Sequence, residues 1–83
     1  MGDTMAAEDI EKEWADRARR FLKAELKRAE ISYAELARRL NTKGFQETEA
    51  SITSKLGRGT FAATFFLASL AEIGCEIVRL EDV

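Results

Sequence analysis

From Gly59 to Ala71 the chain carries no charge, although charged residues make up 34% of its 83 positions. Within and just after this stretch, Phe61, Phe65, Phe66, Leu67, Leu70 and Ile73 surround nearly the whole circumference of a helix. A helix apolar on more than one side needs a core on one side and a second partner on another. The segment "FAATFFLASLAEIG" is therefore expected to be a fourth helix, capped by Thr60 and stopped at Gly74, with one face left for another molecule.

The preceding segments supply the core. From Ile10 to Ala29 the positions Ile10, Trp14, Ala18, Phe21, Leu22 and Ala29 keep helical spacing without glycine or proline. Arg19, Arg20, Lys23 and Lys27 fall on the opposite face. Glu25 lies in the middle of the apolar one, which predicts a structural ion pair with an arginine of another helix, Arg58 first and Arg38 second. Ser32 with Glu35 reads as a capping box, and Ile31 with Leu36 as its hydrophobic staple, so a second helix starts at Tyr33. Its inward residues are Tyr33, Leu36, Ala37 and Leu40, with Glu35, Arg38, Arg39 and Lys43 outside. Gly44 is a natural left-handed stop, after which Phe45 folds back. A third helix, over 47–57, is capped at or just before Thr48 and directs Ile52 and Leu56 inward. Its outer face holds Glu47, Ala50, Ser51, Ser54 and Arg58, with Lys55 at the edge.

The ending "CEIVRLEDV" alternates and is rich in β-branched residues, which predicts a short strand over 75–80. A lone strand among helices has no ladder partner. Together with the over-apolar fourth helix it predicts a homodimer, with Phe65, Phe66, Leu70, Ile77, Val78 and Leu80 in the interface. Residues 1–7 are expected to be a disordered N-terminus of one domain spanning 1–83.

Composition narrows the chemistry. With no histidine and one cysteine, Cys75, the chain has no imidazole base and no intrachain disulfide. No metal site, cofactor or enzymatic activity is expected, since no nucleophile–base set or glycine-rich phosphate loop is present. The opening "MGDTMAAEDIEKEW" lacks a leader pattern, and no uncharged run approaches membrane-spanning length, so a cytoplasmic protein is expected. The formal net charge is -2, but its distribution is uneven. Residues 17–43 hold nine bases against three acids, a balance of +6, whereas 1–16 hold one against six and 44–83 three against six.

"SYAELARRL", a turn, a small polar helix and an apolar fourth helix ending in "AEIG" together resemble the phage-repressor (Cro and repressor-type) helix-turn-helix fold over about Phe21 to Gly74. The chain resembles still more closely, in "LKAELKRAEISYAELARRL" and "TEASITSKLGRGTFAATFFLASLAEIG", a bacterial family of small uncharacterised domains of that helical type. The resemblance implies an all-α, lambda-repressor-like domain of four helices, to which the short C-terminal strand is added. It further implies a sequence-specific DNA-binding homodimer, a transcriptional regulator that reads the major groove with the helix 47–57. Ser51, Ser54 and Lys55 would then reach base edges, with Arg38, Arg39, Lys43 and Arg58 on phosphates or bases. Two features depart from the repressor pattern. Ala37 and Ile52 are fifteen residues apart (52 minus 37), where the pattern has about ten, and Glu47 and Glu49 place negative charge where phosphates would approach. The alternative is a protein-interaction or dimerisation module on the same scaffold, without DNA binding.

Overall fold

Leucine and isoleucine at helical spacing draw four helices around one core in the computed structural model, which describes residues 6–83. They are α1 (Ala7–Ala29), α2 (Tyr33–Thr42), α3 (Glu49–Arg58) and α4 (Ala63–Glu72), followed by a single 3-10 turn at Leu80–Asp82. Both α1 and α2 pack against α3 and α4. The shared core consists of Leu22, Leu26, Leu36, Ala37, Leu40, Ile52, Leu56, Phe65 and Leu70. Ala37 is the small residue that lets α2 lie close to its neighbours.

The helix ends follow local chemistry. Ser32 Oγ accepts the Glu35 backbone N–H at 3.1 Å and starts α2, and Ile31 packs against the core beside it. Only half of the capping box forms, because the Glu35 carboxylate turns to arginines instead. Thr48 caps α3 reciprocally: its Oγ1 accepts Ser51 N–H at 3.0 Å, and its own N–H donates to Ser51 Oγ at 2.8 Å. α1 ends without glycine, at Glu30 with φ 59°, where the backbone N–H returns to Leu26 O and Lys27 O.

α4 starts later than its sequence indicates. Thr60 is not its cap; the N-cap is Ala62, which has no side-chain hydrogen bond. Phe61 is drawn inward instead, its ring 5.4 Å from Phe65 and 5.8 Å from Phe66, so the chain stays extended until those contacts are made.

The C-terminal strand over 75–80 is absent: among the described residues no strand forms. Alternation alone does not make a strand when no second one offers a ladder. Cys75 N–H instead returns to Leu70 O at 2.9 Å, Val78 packs on the core, and Arg17 Nε holds Val83 O at 2.9 Å. Ile77 and Leu80 project outward. The expected disordered N-terminus falls outside the described residues at 1–5, while Ala7 already opens α1.

α1 outruns its core. Its 23 residues span about 34 Å at 1.5 Å per residue, and Ala7 to Trp14 are all exposed. The molecule therefore measures 52 × 24 × 19 Å. No described helix is long and apolar enough to cross a membrane.

Candidate nucleic-acid interface

The connection from α2 to α3 runs through Lys43 to Thr48, and its length is taken up by specific bonds. Gly44 adopts φ 101°, Phe45 N–H reaches back to Leu40 O at 3.1 Å, and the Phe45 ring packs on the core. Asn41 then clamps the far end of the turn. Its Nδ2 donates to Glu47 O at 2.9 Å, and its Oδ1 accepts Glu47 N–H at 2.8 Å. A side-chain amide thus satisfies both backbone groups that a tight turn would have paired by itself.

Glu47 is the centre of this region. It is 7% exposed, and its carboxylate accepts a 2.6 Å bond from Ser51 Oγ and pairs with Lys55 Nζ. The same ammonium sits 4.8 Å from the centre of the Phe65 ring. Burying a carboxylate costs several kcal/mol unless it is paired and hydrogen-bonded, and here both conditions are met. Lying just before the start of α3, the charge also complements the positive end of the helix dipole.

This arrangement divides the residues expected to meet DNA. Ser51 and Lys55 are committed to Glu47 and are half-buried. Ser54 and Arg58 remain on the exposed face of α3, bonded to each other at 2.8 Å. Arg38 makes a two-pronged pair with Glu35 at 3.0 and 2.7 Å. Arg39 shares that carboxylate at 2.8 Å and also donates to Glu72 O at 3.0 Å, tying α2 to the end of α4. Lys43 stands 3.5 Å from the Glu72 carboxylate. The Arg38 and Arg39 guanidiniums hold the Glu35 carboxyl far below its ordinary 4.5, at about 2.

Two other expectations are corrected. Glu25 does not pair with Arg58; its partner is Arg28, one turn along α1, at 3.4 Å. Arg58 lies at the outer end of α3 and points to solvent, whereas the Glu25 side chain, 16% exposed, reaches the flank of α1 beside Cys75. Burial, with the Glu25 carboxylate adding to it, pushes the Cys75 thiol up. Of the residues expected in a dimer interface, Phe65 and Leu70 are each 2% exposed and belong to the chain's own core. Phe66 and Val78 are half-buried, and Ile77 and Leu80 are exposed.

Asn41 and Glu47 were not singled out as a pair by sequence reasoning. One signal was available: Glu47, Ser51 and Lys55 recur every four residues and so share a face. The turn that places Asn41 against them has no such period. No curated protein and no solved structure matches the chain, and no match supports the expected repressor-type helix-turn-helix family. The model of a family described as a domain of unknown function (DUF6471) matches residues 14–78, and the chain belongs to that family.

Proposed function

We propose that the chain is a DNA-binding module of helix-turn-helix type, acting in the cytoplasm as a regulator, with the exposed face of α3 as its reading surface. The observation that carries this reading is the withdrawal of Glu47. With that carboxylate buried and met by Lys55, the outward positions Ala50, Thr53, Ser54, Gly57 and Arg58 are uncharged or basic, and Glu49 is the one exposed acid on α3. Small polar side chains ending in an arginine suit the major groove, where the backbone must come close and a guanidinium can grip guanine or phosphate. Ser54 and Arg58 take the base-edge roles, while Arg38 and Lys43, both exposed, exchange their surface carboxylates for phosphates. Such exchange is inexpensive because exposed ion pairs contribute at most about 1 kcal/mol.

A salt series of binding to duplex DNA tests the proposal. Affinity should fall steeply as salt rises, and Arg58→Ala should weaken binding and reduce the log–log salt slope by about 1 if the guanidinium sits on a phosphate. No binding at low salt, or an Arg58→Ala protein indistinguishable from wild type, refutes it. One observation favours a second reading, a protein-interaction module without DNA: the uncharged outer face of α4 is open to solvent.

A further inference from the structure

The outer face of α4 and the overhanging end of α1 form one surface. Glu11, Trp14 and Ala18 on α1 face Phe61, Ala63 and Phe66 across a shallow groove that Gly59 also lines. Gly59 is there because nothing larger fits: a Cβ would stand 2.7 Å from the Ala15 carbonyl oxygen, and φ is +78°. Beside the groove Leu67 protrudes, 62% exposed, and Trp14 is 50% exposed at its rim. Ala63, Thr64, Leu67 and Ala71, all exposed, continue the same uncharged strip along α4.

We infer that this surface is covered by a second copy of the chain, related by a two-fold axis, with Leu67 of each copy seated in the groove of the other. Three features select a second copy over another occupant. A two-fold contact must be self-complementary, and here a projecting side chain and a recess lie next to one another on the same face. It must also avoid setting like charges together. The strip from Gly59 to Ala71 has none, and the two charges beside the groove on α1, Glu11 in its lining and Arg17 over the Trp14 ring at 4.2 Å, are of opposite sign, whereas α2 and α3 present several charged side chains on their exposed faces. Area is the third. Ile10, Trp14 and Leu67 are 45%, 50% and 62% exposed, and with the half-buried Phe66 and the small residues around them they offer apolar surface that a two-fold contact would cover on both copies at once. The inference is independent of DNA binding, and its test contains no DNA.

Sedimentation equilibrium of the full chain, read alongside the emission of Trp14, the one tryptophan, decides the matter. Wild type is expected to sediment at twice its 9.3 kDa at concentrations on the order of tens of micromolar, with Trp14 emission shifting to shorter wavelength as concentration rises. Leu67→Glu should weaken association at least about tenfold and abolish the emission shift, with unchanged circular dichroism because the position is exposed. Ala71→Glu serves as the second variant should Leu67→Glu unfold, and Ile77→Glu should associate like wild type. A wild type that stays monomeric to about 100 μM leaves the face to some other protein and overturns the inference. So does a dimer that survives both substitutions on α4, or one that is lost only in Ile77→Glu.

Discussion

The two ends of the four-helix unit solve the same problem, a small core, in opposite ways. Around the α2–α3 turn, polar side chains are paired almost one for one: Asn41 with the Glu47 backbone, Glu47 with Ser51 and Lys55, Glu35 with Arg38 and Arg39. Along the outer face of α4 there is no charged side chain to pair, the ion pairs of the neighbouring stretch of α1 (Glu13–Arg17, Asp16–Arg19, Asp16–Arg20) stay within that helix, and Ile10, Trp14 and Leu67 are left exposed. The first region is specified by directional bonds and is complete within one chain. The second is specified by shape, and in the dimer inferred above a second copy completes it.

The two regions meet at Gly59, and the largest expected effect lies there. Gly59→Ala would combine a left-handed backbone, costing about 1–2 kcal/mol, with a contact against backbone rather than a yielding side chain, so a loss of about 3 kcal/mol in urea unfolding is expected. A loss below about 1 kcal/mol would mean that α1 slides freely on the α3–α4 connection, and that the two regions are less tightly joined than their geometry indicates.

Within the bonded region, Glu47→Ala should cost about 2–3 kcal/mol, toward the lower end for a broken buried pair because the Lys55 side chain is 29% exposed. Combined with Lys55→Ala in a double-mutant cycle, the coupling should reach at least about 1 kcal/mol. Additive losses would reduce the pair to a surface contact and remove the main difference between the two regions.

The apolar region holds one polar defect. Ser69 is fully buried in α4, and its hydroxyl has no hydrogen-bond partner. Ser69→Ala removes the unsatisfied oxygen and improves helix propensity, so stability should rise by about 1 kcal/mol by thermal unfolding. Unchanged or lower stability would show that the hydroxyl is satisfied after all.

The smallest effect concerns Glu35. Its carboxyl is held down in the folded chain, so its contribution is present above the ordinary 4.5 and is lost as pH falls toward about 2. Thermal stability measured across that window should decline, and the decline should be shallower in Glu35→Gln. Because the group is a surface one, its share of the total is small.

What the sequence disclosed follows the same division. Helix starts at Ser32 and Thr48, the left-handed stop at Gly44 and the inward leucines were legible because each depends on residues within a few positions of one another. The Glu47–Lys55 pair changed the meaning of Ser51 and Lys55 because it depends on where the turn folds, which Asn41 decides from the preceding helix. Alternation in "CEIVRLEDV" was read correctly as alternation and incorrectly as a strand, since strand formation is decided by a partner and not by the segment. Phe65 and Leu70 were assigned to a partner because periodicity shows that α4 is apolar on several sides, but not which side the core takes.

The overhang of α1 makes one geometric helix into two thermodynamic units. Leu22 and Leu26 are buried, so their amides should exchange hydrogen only when the whole domain opens, while those from Ile10 to Trp14 have no tertiary cover. Isolated segments of this length are marginal helices in water, and their amides should exchange by local fraying within the same molecule. A gradient of protection along α1, steep near Ala15 where the α3–α4 connection first touches it, would mark where the folded domain begins. Slowing of exchange before Ala15 as protein concentration is raised would show the free end being covered.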